Sequence, residues 1–337
     1  MKKSLKAIIQ YIVFLGIGLF FVWLSLRDLN HDQWQKTKEA IGSSRQWLFF
    51  PVTAMLLLSH LSRALRWKIL IEPLGYKPST FNSFAAVMIG YLVNHGVPRL
   101  GELVKCTVLR RYEKIPVDKL IGTILAERAV DLICLGIVFV LALIFQGEVI
   151  GDFMLGSFSN FFSDKTGHLS VLKVIIYPAA FLLALVLFYF ALKKLGHINI
   201  IVQLKKIIKG VIHGLKSIRY IRQKGLFLFH SLFIWVMYLL STTAGLYAFR
   251  ETEHLGIPGG LSALGAGSVG IIVTPGGIGA YPLLIELLMG LYGVAATVGK
   301  SMGWLLWAVQ TFIVLAGGLI CLVLISRINK NNVSNKQ

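Results

Sequence analysis

Two short stretches of this 337-residue chain combine groups that could grip an anion with backbone that cannot continue a helix. The first is Asn94-His95-Gly96-Val97-Pro98-Arg99-Leu100-Gly101-Glu102. The second, far downstream, is Thr274-Pro275-Gly276-Gly277-Ile278-Gly279-Ala280-Tyr281-Pro282. Both interrupt strongly apolar sequence. Backbone at membrane depth must satisfy its own hydrogen bonds, so broken segments survive there only when buried in protein or lining a cavity. Two such breaks, one in each half, point to a substrate site inside the bilayer.

Charged residues within apolar runs add to that reading. Arg63 and Arg66, three apart in Ser62-Arg63-Ala64-Leu65-Arg66-Trp67, share one helix face. In Ala126-Glu127-Arg128-Ala129-Val130-Asp131, Glu127 and Asp131 share a face at i and i+4. Such groups cost about 2.5–3.5 kcal/mol or more at bilayer depth and persist when paired or facing water. Two uses fit them. The arginines and carboxylates could neutralise each other in a network that pins helices together. Alternatively Arg63, Arg66, Arg99 and Arg128 could form a cationic cradle, because planar guanidinium forks match phosphate oxygens bidentately. Glu102, Glu127 and Asp131 would then tune the arginines or meet a cationic head group. Gly276, Gly277 and Gly279 permit a tight turn that aims N–H groups inward at a helix start, an anion site without side-chain charge. Close helix packing is the simpler use of the same glycines. Glu286 and Lys300 are the nearby charges, and a position near an interface accounts for either.

The elements that position these groups are membrane helices. Mean hydropathy is +0.73, 56% of residues are hydrophobic and 15% are charged, against about 25% charged in soluble domains. Runs long enough to span lie near 6–26, 47–71, 120–146, 171–192, 226–248 and 303–326. Interrupted runs near 81–98 and 258–300 complete the set. The first run is expected to be an uncleaved span, since it ends in Ser25-Leu26-Arg27-Asp28 without a small-residue cleavage site. The net charge of +19 suggests nucleic acid, but its distribution does not: the nine basic and no acidic residues from Lys193 to Lys224 mark a cytoplasmic loop. Within 193–224, Ile201, Leu204, Ile208, Val211, Leu215 and Ile218 recur at helical spacing opposite the lysines, as in a helix lying on an anionic leaflet.

Orientation follows from the basic segments. The amino terminus, 99–119 (including Lys105), 193–224 and the tail are expected inside, and the acidic 147–170 loop outside. Parity then makes the run at 81–98 dip in and return, and makes 258–300 do the same from the outer face. The expectation is an all-α polytopic bundle comprising one membrane domain, 1–337, with both termini cytoplasmic. It has six full spans and two re-entrant hairpins entering from opposite faces, or eight spans if each arm crosses.

The chain resembles the flippase-like transmembrane domain of lysylphosphatidylglycerol synthases and its stand-alone relatives, some of them labelled glycosyltransferase-like. Arg63-Ala64-Leu65-Arg66-Trp67, the Asn94–Glu102 break, Glu127-Arg128-Ala129-Val130-Asp131 and Thr274-Pro275-Gly276-Gly277-Ile278-Gly279 carry the likeness, in order, across most of the chain. The resemblance implies an inner-membrane protein that moves lipid head groups. Its site would comprise Arg63, Arg66, Asn94, Pro98, Arg99, Glu102, Glu127, Arg128, Asp131, Pro275, Gly276, Gly277 and Gly279. Many relatives place an acidic residue shortly after the last glycine; here Tyr281 and Pro282 stand there. The synthases' aminoacyl-transferring domain has no counterpart in 1–337, so lysyl transfer would need a separate lipid-modifying enzyme.

Enzyme signals are weak. Cys106, Cys134 and Cys321 form no CxxC pair, and His60 and His95 are isolated. There is no GxSxG, HExxH or P-loop motif. The expected partners are anionic membrane lipids, with neither cofactor nor nucleic acid. The alternatives are a polyprenyl-phosphate-dependent glycosyltransferase, with Glu102 or Asp131 as base, and a non-transporting scaffold.

Overall fold

A computed structural model describes residues 16, 18–27, 30–97, 100–162 and 221–334, and every regular element among them is a helix. After a first helical stretch at 18–26, the chain forms α1 (His31–Ser43), α2 (Phe49–Ile71), α3 (Thr80–Gly96), α4 (Leu100–Glu113) and α5 (Val117–Phe162). It resumes with α6 (Lys224–Tyr247), α7 (Gly256–Val273), α8 (Ala280–Leu291) and α9 (Ala296–Ser334). The class is that of a polytopic helical membrane protein.

Among the described residues, five segments are long and apolar enough to cross a bilayer: Gln46–Leu74, Val117–Gly147, Lys224–Tyr247, Glu253–Val273 and Ala296–Lys330. Four coincide with expected spans. The run at 171–192, most of 6–26 and the basic loop up to residue 220 lie outside the described residues. The fifth segment, Glu253–Val273, falls in a region expected to dip and return. Its return arm, α8, has only 12 residues, about 18 Å at 1.5 Å per residue. The downstream hairpin therefore has unequal arms, one long enough to cross and one not. In the upstream hairpin, α3 and α4 have 17 and 14 residues, about 26 and about 21 Å. Both fall short of a hydrocarbon core of about 30 Å.

Local chemistry explains where helices start and turn. Asn30 and Gln33 form a reciprocal capping box at the start of α1, and the Ser79 hydroxyl accepts the Asn82 N–H at the start of α3. The upstream break is bridged by Asn94, whose side-chain oxygen accepts the Gly101 N–H at 2.7 Å. That bond satisfies one of the donors a helix start leaves open. The two arms come close enough that a Cβ on Gly101 would overlap the Gly90 carbonyl oxygen and the Asn94 carboxamide. Small residues at such crossings are what allow helices to associate tightly in lipid. Gly101→Ala is expected to cost about 3 kcal/mol, because its nearest neighbour is backbone and cannot rotate away. A lowered thermal midpoint in detergent is the readout; an unchanged midpoint would contradict this approach distance.

The rest of the bundle packs around the hairpins. α2 pairs with α6, α7 with α5, α6 and α8, and α9 runs beside α3 and α8. Tyr281, two residues after the last glycine of the downstream break, is buried against Gly267 and Gly270 of α7. It closes the downstream hairpin by packing.

Candidate functional site

Helical period places Arg63 and Arg66 one turn apart on α2 and Glu127 and Asp131 one turn apart on α5. The fold turns these two faces toward each other. Arg63 Nη1 lies 3.1 Å from Glu127 Oε1 and 2.5 Å from Asp131 Oδ2. Arg66 Nη2 lies 2.7 Å from Asp131 Oδ1 and 3.7 Å from Glu127 Oε1. A third cation enters from α4: Lys105 Nζ is 2.7 Å from Glu127 Oε2 and 3.9 Å from the centre of the Trp67 ring. Arg63 also donates to the Tyr238 hydroxyl and Arg66 to the Ser231 hydroxyl, both at 3.4 Å on α6. Trp67 Nε1 donates to Thr123 Oγ1 at 2.9 Å. Four helices thus share one buried polar network.

Side-chain exposure is 0% for Arg66, 1% for Glu127 and 6% for Arg63. Buried charges persist only when paired and hydrogen-bonded, and removing one partner is then strongly destabilising. At Arg63 and Arg66, one terminal nitrogen faces carboxylates and the other a hydroxyl of α6, which is the pinning arrangement. Lys105 belongs to the same network. Among the basic residues of 99–119 it reads as a marker of the cytoplasmic side, yet it is buried. A lone lysine within Leu103-Val104-Lys105-Cys106, three residues after Glu102, was the available signal.

Arg128 is set apart. It follows Glu127 in sequence, but the helical rotation turns it off the network face, and 47% of its side chain is exposed. Its Nη2 lies 3.1 Å from Glu102 Oε1, in the first turn of α4. Together with Tyr91, Asn94, Gly101 and Lys105, this pair lines a small cavity between the arms of the upstream hairpin.

The two breaks meet at His95, the residue after Asn94. His95, at the end of α3, packs its ring against Gly276, where a Cβ would come 2.5 Å from His95 Cδ2. Gly276 has φ +58°, a left-handed conformation that glycine adopts without the steric cost of a side chain. Trp307 Nε1 on α9 donates to the Gly276 carbonyl at 2.9 Å, and His95 Nδ1 lies 3.1 Å from the Tyr91 carbonyl oxygen. Tyr91 continues the chain of contacts, its ring 6.0 Å from Arg63 Cζ and 5.1 Å from the His60 ring.

The downstream turn uses its own donors. Gly277 N–H bonds to Thr274 O, Ile278 N–H to Pro275 O, and Ala280 N–H to Ile278 O, at 3.0, 3.2 and 2.8 Å. An anion site expected at that helix start lacks these three donors. Pro275 is buried, and Gly279 lies against Gly18–Val22 of the first helical stretch, where a side chain would strike backbone. Pro98 and Arg99 lie outside the described residues. Glu286 and Lys300, the charges near that turn in sequence, form an ion pair of 3.4 Å between α8 and α9.

Residues 8–324 match the family described as the lysylphosphatidylglycerol synthase TM region. The chain belongs to that family. A UPF0104 membrane protein of Methanocaldococcus jannaschii is 26% identical over 133 residues, 39% of this chain and 37% of that protein. The chain thus spans little more than a third of the length of this relative. No solved structure matches. For this family member, the helices and the match agree on a multi-pass membrane protein, with Arg128–Glu102 as the charged pair that opens onto a cavity.

Proposed function

We propose that this chain is a lipid flippase-like transporter that moves an anionic phospholipid or polyprenyl-phosphate-linked lipid across the cytoplasmic membrane of its cell. The observation that carries the reading is Arg128. It is a half-exposed guanidinium within a membrane-spanning helix, held by one carboxylate, beside the meeting point of two broken hairpins. A charge so placed faces the bundle interior or an aqueous path, and marks a substrate route by default. Arg128 contacts the phosphate, and Glu102 holds Arg128 between turnovers. Arg63, Arg66, Lys105, Glu127 and Asp131 keep the hairpin seated against α2, α5 and α6. The lipid tails stay in the bilayer while the head group passes between the hairpin tips. The family description, which names a synthase of an aminoacylated phospholipid, supports a lipid cargo. Such a lipid would be made by a separate lipid-modifying enzyme.

The reading predicts a result for the tip contact. Gly276→Ala introduces a Cβ against the His95 ring at a residue with φ +58°, a backbone strain of order 1–3 kcal/mol. Transport is expected to fall, because the added Cβ meets the His95 ring between the hairpin tips. A wild-type rate in reconstituted vesicles would remove the tips from the path.

The function itself is tested by purified protein in liposomes with a panel of head-group-labelled lipids. Anionic lipids are expected to cross faster than phosphatidylcholine, unchanged in structure. If no lipid crosses and a polyprenyl-phosphate sugar is consumed instead, the protein is a glycosyltransferase. Asp131 has both oxygens on Arg63 and Arg66, so Glu102 would then be the base. A protein that does neither is a scaffold.

A further inference from the structure

The short return arm α8 borders a cavity of about 820 Å³. Leu284, Leu287, Leu288 and Leu291 of α8 form one wall. Val149 of α5, Ala266 of α7 and Gly290 of α8 complete the lining among the described residues, and none of these carries a polar side chain. Glu286, the one charge on α8, turns instead to Lys300 on α9. Leu287 is 57% exposed, so the leucine wall opens outward. α5 breaks its helical course at Gln146 (φ −128°, ψ 17°), just before Val149, and leaves the line of its span where it nears α8.

The chemistry of the walls limits what can fill this groove. A bound water needs about two to four polar partners, and a polar ligand without partners is disfavoured for the same reason. Protein interiors hold few voids larger than a water molecule, so the filling is hydrocarbon. The length of the groove says which hydrocarbon. From Leu284 to Leu291 it runs about 10 Å along α8, within one leaflet of a hydrocarbon core of about 30 Å. A membrane-spanning helix, whether from 171–192 of this chain or from a second copy, would run well past both ends. We infer that the groove between α5, α7 and α8 is a binding site for an acyl chain of a membrane phospholipid, in the leaflet where α8 ends. The seated chain gives the short arm a packing partner along its leucine face. The site is independent of the Arg128 contact, since Val149 stands about 30 Å further along α5 than Arg128.

The test uses the full chain in detergent, titrated with phosphatidylcholine that carries a diazirine on one acyl chain. After illumination, labelled residues are mapped by peptide mass spectrometry. Labelling of 284–291 is expected to saturate as the probe is added. Labelling of Leu319, Ile320, Leu322 and Val323 on α9, exposed apolar residues outside the groove, is expected to rise in proportion to probe. This comparison needs no variant. Gly290→Leu then fills the groove, because nothing lies within 4 Å of the position a Cβ would take there. It is expected to keep its thermal midpoint and to lose the saturable labelling, with α9 unchanged. Labelling of 284–291 that rises in proportion, as on α9, overturns the site and leaves ordinary lipid contact. No labelling of 284–291 also overturns it, by showing that protein covers the groove. Saturable labelling that persists in folded Gly290→Leu overturns the placement of the chain in this groove. None of these outcomes bears on Arg128.

Discussion

Glu127→Ala is expected to leave little folded protein in the membrane. Glu127 accepts from Arg63 at 3.1 Å and from Lys105 at 2.7 Å, with Arg66 at 3.7 Å. Removing it leaves Asp131 as the one carboxylate beside three buried cations. Breaking a buried pair by deleting one partner costs about 3–5 kcal/mol, a large share of the 5–15 kcal/mol by which a typical domain is stable. Glu127→Gln keeps an acceptor and the side-chain volume but loses the charge, and is expected to fall between the two. The measurement is the monodisperse fraction and thermal midpoint of detergent-extracted protein. A midpoint for Glu127→Ala equal to wild type would show that the network does not hold the bundle.

Local features of the site were legible in the residues, and tertiary ones were not. Proline, glycine and polar residues gathered from Asn94 to Glu102 marked a break because proline lacks the N–H that a helix interior needs. The shared faces of Arg63 with Arg66 and of Glu127 with Asp131 followed from helical period alone. That those faces meet depends on α2 packing against α5 across 64 residues of sequence. An arginine facing a carboxylate and one facing a phosphate look the same in sequence, so cradle and pinning network remained equal alternatives. In the structure Arg63 and Arg66 lie on Glu127 and Asp131, while Arg128 lies on Glu102. Lys105 was obscured by its company, because basic residues beside a membrane segment normally mark the cytoplasmic side. The glycines at 276, 277 and 279 signalled a turn, but only the dihedral angles reveal that the turn consumes its own N–H groups. The unequal lengths of α7 and α8 were hidden within one interrupted apolar run.

Arg128→Ala is expected to separate folding from function. Its pair with Glu102 is 47% and 26% exposed at the two side chains, and a partly exposed pair loses less on truncation than the buried pairs of the Glu127 network. The thermal midpoint is therefore expected to stay near wild type, in contrast to Glu127→Ala. Transport is affected far more, because a hydrogen bond to a charged group contributes about 1.5–3 kcal/mol, which is about 10- to 150-fold in rate. Arg128→Lys keeps the charge without the planar fork and is expected to recover only part of the activity. The decisive measurement is the initial rate of labelled phosphatidylglycerol movement in liposomes carrying equal amounts of folded wild-type or Arg128→Ala protein. A loss of about tenfold or more at an unchanged thermal midpoint is the predicted result. Equal rates for the two proteins would contradict the assignment of Arg128 as the head-group contact.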